Sequence, residues 1–164
     1  LASPDEWEPV FTEWAQYRDH WSERLAAIRL LGRLRRVTPR VAQALRAAME
    51  DDPYTQHAAY AAVREFRHIE GDVFQDVLSM LDDPSAATSA AAARLLVSAA
   101  KAGIDVEKRR RIINTLQEIV RKPSATRPIF LMEAETGLNG VMSPRFMGTL
   151  DETLYRAIFE ISGL

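Results

Sequence analysis

Two Asp-Asp-Pro triplets, at residues 51–53 and 82–84, constrain the fold of this chain more than any other feature. Each triplet follows a helical pattern that ends in methionine plus one residue, at Met49-Glu50 and Met80-Leu81, and each precedes an alanine-rich helical pattern. The triplets begin 31 residues apart, and a fixed period of this size is typical of stacked repeats. The spacing therefore predicts a repeat architecture.

The acidic pairs in these triplets have two interpretations. They could form a carboxylate cluster for acid–base chemistry, or they could cap helices, because an Asp before proline is a favoured helix N-terminus. We favour capping, since proline at the first helical position lacks only an N–H that would be unpaired there. Five of the eight prolines follow Ser, Thr or Asp: Ser3-Pro4, Thr38-Pro39, Asp52-Pro53, Asp83-Pro84 and Ser143-Pro144.

These prolines predict helix starts near residues 39, 53, 84 and 144. The N-terminal helix could begin at Pro4, with Ser3 and Glu6 as a capping box, or at Pro9. We favour a start near Pro9 for the main helix, because proline inside a helix is costly. Glycines are expected to separate or end the helices, at Gly71, Gly103, Gly137 and Gly140.

Apolar side chains at three- and four-residue spacing complete the helical pattern. The stripes predict helices over residues 22–36, 39–50, 72–82 and 106–121, with further helices after Pro128 and near the C-terminus. No alternating strand pattern of useful length is visible, and the flanks of Asn139-Gly140 do not alternate. The chain is therefore expected to be all-α.

The second helices of successive units align with one another. The apolar set Val41, Leu45, Ala48, Met49 matches Val73, Val77, Met80, Leu81 with a shift of 32, and then Ile112, Leu116, Ile119, Val120 with a shift of 39. The first helices also share one aligned position downstream of the Asp-containing turn. That position holds Arg24, His57 and Thr88 in successive units. These features resemble the HEAT-repeat family.

The resemblance implies a right-handed α-solenoid of about four helical hairpins. We expect an N-terminal capping helix over residues 1–20, three repeats over 21–121, and a fourth, irregular repeat or C-terminal cap over 122–164. Trp7, Trp14 and Trp21 either pack on the first repeat or form an aromatic docking surface.

The composition excludes several kinds of chemistry. The chain has no cysteine, and its three histidines, His20, His57 and His68, do not have the spacing of a metal motif. Residues 137–140 are too short for a phosphate-binding loop, and no nucleophile motif occurs. We therefore expect no enzyme activity, no cofactor and no metal.

The sequence also bears on the location of the protein. No apolar stretch reaches the length of a membrane span, and residues 1–20 lack a signal-peptide pattern. Because the chain begins at Leu1 without an initiator methionine, we expect either a segment of a longer protein or a processed one. We expect its location to be cytoplasmic.

In HEAT-like solenoids, the second helices line the concave face, where partners usually bind. The resemblance therefore nominates nine outward positions: Arg40, Gln43, Arg46, Gln75, Ser79, Arg110, Arg111, Asn114 and Glu118. Among them, Gln43, Gln75 and Asn114 form an aligned amide row. The basic run over residues 108–111 is either a solvated face or a contact for an acidic partner.

Two functions are compatible with these residues. The first is a non-catalytic scaffold or sensor module that binds a protein partner or a neighbouring domain. The second is nucleic-acid binding, as in the HEAT-like DNA glycosylases, through Arg40, Arg46, Arg110 and Arg111. A net charge of −2 and the acidic residues Asp72, Asp76 and Glu118 argue against the second. A bilin-lyase type of HEAT protein has no discriminating residue here.

Overall fold

The computed structural model describes residues 4–17, 19–134 and 142–164. The described chain is predominantly helical, and its helices are α1 (Pro4–Trp14), α2 (Trp21–Arg33), α3 (Pro39–Met49), α4 (Pro53–Ala62), α5 (Phe74–Ser79), α6 (Ala86–Gly103), α7 (Val106–Val120) and α8 (Leu150–Ser162). The strands are β1 (Arg36–Val37), β2 (His68–Ile69), β3 (Pro128–Ala134) and β4 (Met142–Thr149), and 3-10 turns cover Met80–Asp82 and Pro123–Thr126.

Two of the proline-marked helix starts are confirmed. The hydroxyl of Thr38 accepts the Val41 N–H at 3.3 Å, and α3 begins at Pro39. The carboxylate of Asp52 accepts the backbone N–H groups of Tyr54 and Thr55 at 2.9 and 3.1 Å. The first Asp-Asp-Pro triplet is therefore a capping turn.

The second triplet acts differently from the prediction. Helix α6 begins at Ala86 rather than at residue 84, and Ser85 is its N-cap. Asp83 instead accepts the backbone N–H of Ser85 at 2.8 Å, which holds the turn before the cap. The stop at Gly103 is confirmed, because α6 ends there with a φ of 107° that suits glycine.

Two other proline predictions were wrong. Helix α1 begins at Pro4 and contains Pro9. The residue before this proline, Glu8, accepts a hydrogen bond from Thr38 at 2.8 Å and forms an ion pair with Arg36 at 3.2 Å. These contacts hold α1 against the segment that precedes α3. Pro144 lies in β4 and starts no helix. The predicted stops Gly137 and Gly140 lie outside the described residues.

A β-hairpin replaces the helix that was expected after Pro128. Strands β3 and β4 pair antiparallel, with Phe130 opposite Phe146. The side chains of Ile129 and Leu131 are buried, whereas Phe130 is exposed. The outward rings of Phe130 and Phe146 lie 5.7 Å apart. Because both faces carry apolar side chains here, the strand alternation is hidden in the sequence.

The first two helical pairs are related by the predicted period. Strands β1 and β2 pair parallel, and their register places Arg36 opposite His68 and Val37 opposite Ile69. That offset is 32 residues, the same as the shift between the apolar stripes of α3 and α5. The matching positions Val41 and Val73 are both buried.

Helices α2 and α4 approach closely through glycine. A Cβ atom on Gly32 would lie 2.9 Å from the carbonyl oxygen and 3.2 Å from the Cα atom of Ala62. Backbone atoms cannot move away as the end of a flexible side chain can. A Cβ atom on Gly32 would therefore force the two helices apart.

We expect Gly32→Ala to destabilise the fold. Overpacking costs about 1–3 kcal/mol, and the better helix propensity of alanine returns only about 1 kcal/mol. Chemical denaturation should therefore show a lower free energy of unfolding. The control is Gly71→Ala, where a Cβ meets nothing within 4 Å. Equal stability of the two variants would contradict the close approach.

Candidate functional site

The nine nominated residues all lie on α3, α5 and α7, and all are exposed. We call the exposed side of these three helices the second-helix face. Its amide row, Gln43, Gln75 and Asn114, presents one side chain from each helix. Amides offer both donors and acceptors, so such a row can bond the backbone of a peptide.

Contacts across the face connect α5 to α7. A guanidinium N–H of Arg111 donates a hydrogen bond to the side-chain oxygen of Gln75. Beneath them lies the buried ring of Phe74, with the Arg111 guanidinium 5.3 Å and the Lys108 ammonium 5.8 Å from its centroid. Sequence reasoning missed Phe74, because its partners stand more than thirty residues away along the chain.

The basic residues of this face have acidic neighbours. Arg46 pairs with Glu50 at 3.3 Å and with Asp83 at 3.6 Å. In α7, Lys108 pairs with Asp105 at 3.3 Å, and Arg110 pairs with Glu107 at 3.7 Å. The pairs of α7 are exposed enough to contribute little stability, and they give two of the four basic residues over 108–111 a carboxylate partner.

Asp105 also explains how a basic run can begin a helix. Its carboxylate accepts the backbone N–H of Lys108 at 2.8 Å and caps α7. That hydrogen bond lowers the pKa of Asp105 below its ordinary value, and the nearby Lys108 ammonium contributes in the same direction. The negative cap offsets the unfavourable interaction of cations with the helix dipole.

The described ranges show no cluster suited to a metal ion. Within them, no group of three His, Asp or Glu side chains is placed to hold a metal ion. The histidines are on different elements: His20 precedes α2, His57 is half-buried in α4, and His68 is exposed on β2.

The three tryptophans combine packing with exposure. Trp7 stacks on Phe11 at 5.6 Å between ring centroids, and Trp21 meets Tyr54 edge-on at 5.3 Å. Their exposed fractions are 46% for Trp7, 41% for Trp14 and 50% for Trp21. Both earlier interpretations therefore remain compatible with the geometry.

The chain was also compared with known proteins. No family model matches it, and neither a curated protein nor a solved structure matches it significantly. None of the described helices combines the length and apolar character needed to cross a membrane. The function must therefore be argued from the residues themselves.

The cap of α7 generates a pH-dependent prediction. A lowered folded-state pKa stabilises the fold above the unfolded pKa, and this contribution is lost as the pH falls through the folded value. Asp105→Asn keeps an acceptor oxygen but removes the charge. We expect a lower Tm than wild type at neutral pH, with the difference closing at pH values below the ordinary range of an Asp carboxyl. A difference in Tm that stays constant down to strongly acidic pH would contradict a charged cap.

Proposed function

We propose that this chain is a non-catalytic, HEAT-like solenoid segment that binds a protein partner through the second-helix face. The observation that carries the proposal is the row of exposed amides, one on each of α3, α5 and α7. Exposed amide groups can exchange hydrogen bonds to water for hydrogen bonds to a peptide backbone at little cost. Gln75 would also have to share or release the hydrogen bond that its side-chain oxygen accepts from Arg111.

The register between the helical pairs supports the solenoid. The 32-residue offset of β1 and β2 equals the offset of the apolar stripes, and this agreement is what supports a repeat between the first two helical pairs. Units that pack on their neighbours in this way leave one helix of each pair facing outward.

The charge pattern favours a protein over a nucleic acid. Binding to a phosphate backbone needs clustered positive charge. On the second-helix face, Arg46 and Arg110 have carboxylate partners, and the exposed Glu118 interrupts the basic residues of α7. A face of mixed charge suits a polar peptide surface, where both signs must be matched.

Site-specific photo-crosslinking tests the proposal. A photoreactive residue at position 75 should capture a protein in cells of the host, whereas the same residue at position 16 should not. Position 16 is exposed but lies outside the second-helix face. The same capture from both positions, or from neither, would contradict this binding mode.

A triple substitution tests the amide row. We expect Gln43→Ala/Gln75→Ala/Asn114→Ala to raise the Kd for the captured partner by at least about tenfold, since each lost hydrogen bond costs about 0.5–1.5 kcal/mol. The control is Gln16→Ala/Arg29→Ala/Glu65→Ala, which changes exposed residues away from the face. Equal affinity of both variants would exclude the amide row.

Duplex DNA separates the two function classes. We expect no saturable binding at physiological salt, because the face carries both signs of charge. Micromolar affinity that falls steeply with salt, and that Arg110→Glu/Arg111→Glu abolishes, would instead favour nucleic-acid binding.

A further inference from the structure

A cavity of about 250 Å³ lies away from the second-helix face, between the turn after α4, helix α6 and helix α8. Four cationic side chains line it: Arg64 from the turn, Arg94 and Lys101 from α6, and Arg156 from α8. The one acidic side chain among the residues that line it is Glu160.

The charges in this cavity are not balanced. Glu160 forms an ion pair with Lys101. In the described part of the chain, no carboxylate lies within ion-pair distance of Arg64, Arg94 or Arg156. Three guanidinium groups therefore line one cavity whose single lining carboxylate, Glu160, is already paired with Lys101.

Of the three arginines, Arg94 is partly buried, whereas Arg64 and Arg156 are exposed. The Arg94 guanidinium lies 4.5 Å from the ring centroid of Tyr60. Burial lowers the pKa of Arg94 and the positive charges of Arg64 and Arg156 lower it further, while Tyr60 and Glu160 act in the opposite direction. Like charges held together in a partly desolvated space repel each other, and a bound anion would remove that repulsion.

Tyr60 adds an independent observation. Tyr60 is only 4% exposed, and its hydroxyl has no hydrogen-bond partner among the residues that the structure describes. A buried hydroxyl without a partner is rare, and it calls for an explanation such as an absent ion or water. Tyr60 lines an adjoining cavity together with Arg64, which also lines the arginine cavity. Hydrogen-bond donors that lack an acceptor therefore line both of these adjoining cavities.

The walls of the arginine cavity are held in place. The Ser98 hydroxyl on α6 donates to the Arg64 carbonyl oxygen at 3.2 Å, which fixes the turn after α4. The Lys101–Glu160 pair joins α6 to α8. The three arginines thus project from elements that are already connected, so a ligand would not need to assemble the site.

We propose that Arg64, Arg94 and Arg156 form a binding site for a phosphoryl group, either free phosphate or a small phosphomonoester. Guanidinium groups bind phosphate oxygens through paired, charge-assisted hydrogen bonds. A phosphoryl dianion offers three terminal oxygens and two negative charges to the three arginines, whereas a carboxylate offers two oxygens and one charge. The site is separate from the proposed partner-binding face and does not depend on it.

Isothermal titration calorimetry of the full chain tests the site, with inorganic phosphate and O-phosphoserine as probes at constant ionic strength. We expect saturable binding of at least one probe. Binding of phosphate alone would identify the free ion as ligand, and binding of both would identify a site that accepts a phosphomonoester. Absence of saturable binding for both probes would overturn the proposal.

Charge-removing variants locate the binding. Arg94→Gln and Arg156→Gln should each raise the Kd by about tenfold or more, since a charge-assisted hydrogen bond contributes about that factor. Arg33→Gln changes an exposed arginine of α2 and should leave the Kd unchanged. Because Arg94 also packs on Tyr60, the exposed Arg156 provides the variant whose folding is least affected, and circular dichroism verifies it. Wild-type affinity in both variants would overturn the assignment.

Discussion

The buried guanidinium of Arg24 joins the first elements of the structure. Its Nε donates to the Ala15 carbonyl oxygen at 2.9 Å, just after α1, and a terminal nitrogen donates to the carboxylate of Asp51. Asp52, 3.8 Å away, caps α4. A buried charge is tolerated only when it is paired and hydrogen-bonded, so Arg24 requires the Asp-Asp-Pro turn to lie against it. One side chain thereby connects α1, α2 and the start of α4.

This connection determines how the next elements lie. With the start of α4 held near Arg24, Gly32 meets Ala62 at the other end of the same helices, and β1 pairs with β2 in the 32-residue register. At the positions that align with Arg24 in the sequence, His57 and Thr88 have no carboxylate partner among the described residues. Further along the chain, α6 packs through its buried alanines and leucines.

The sequence predicted correctly those features that depend on residues close together in the chain. Thr38 and Asp52 cap helices through N–H groups two or three residues away, and such patterns are readable along the chain. It failed where the cause was distant. Pro9 lies inside α1, next to Glu8, whose carboxylate accepts a hydrogen bond from Thr38. Phe130 lies outward on a strand beside Phe146. The nine nominated positions are all exposed, as the helical spacing predicted. The three arginines of the cavity come from separate elements that only the fold brings together.

On the second-helix face, Arg46 and Arg110 have carboxylate partners, whereas Arg64, Arg94 and Arg156 of the arginine cavity have none among the described residues. Residue-resolved NMR during a phosphate titration tests this difference most directly. The account predicts that the largest amide shifts occur around Arg64, Arg94 and Arg156, with no saturable change over residues 108–111. Saturable shifts centred on residues 108–111, with the cavity unaffected, would contradict it.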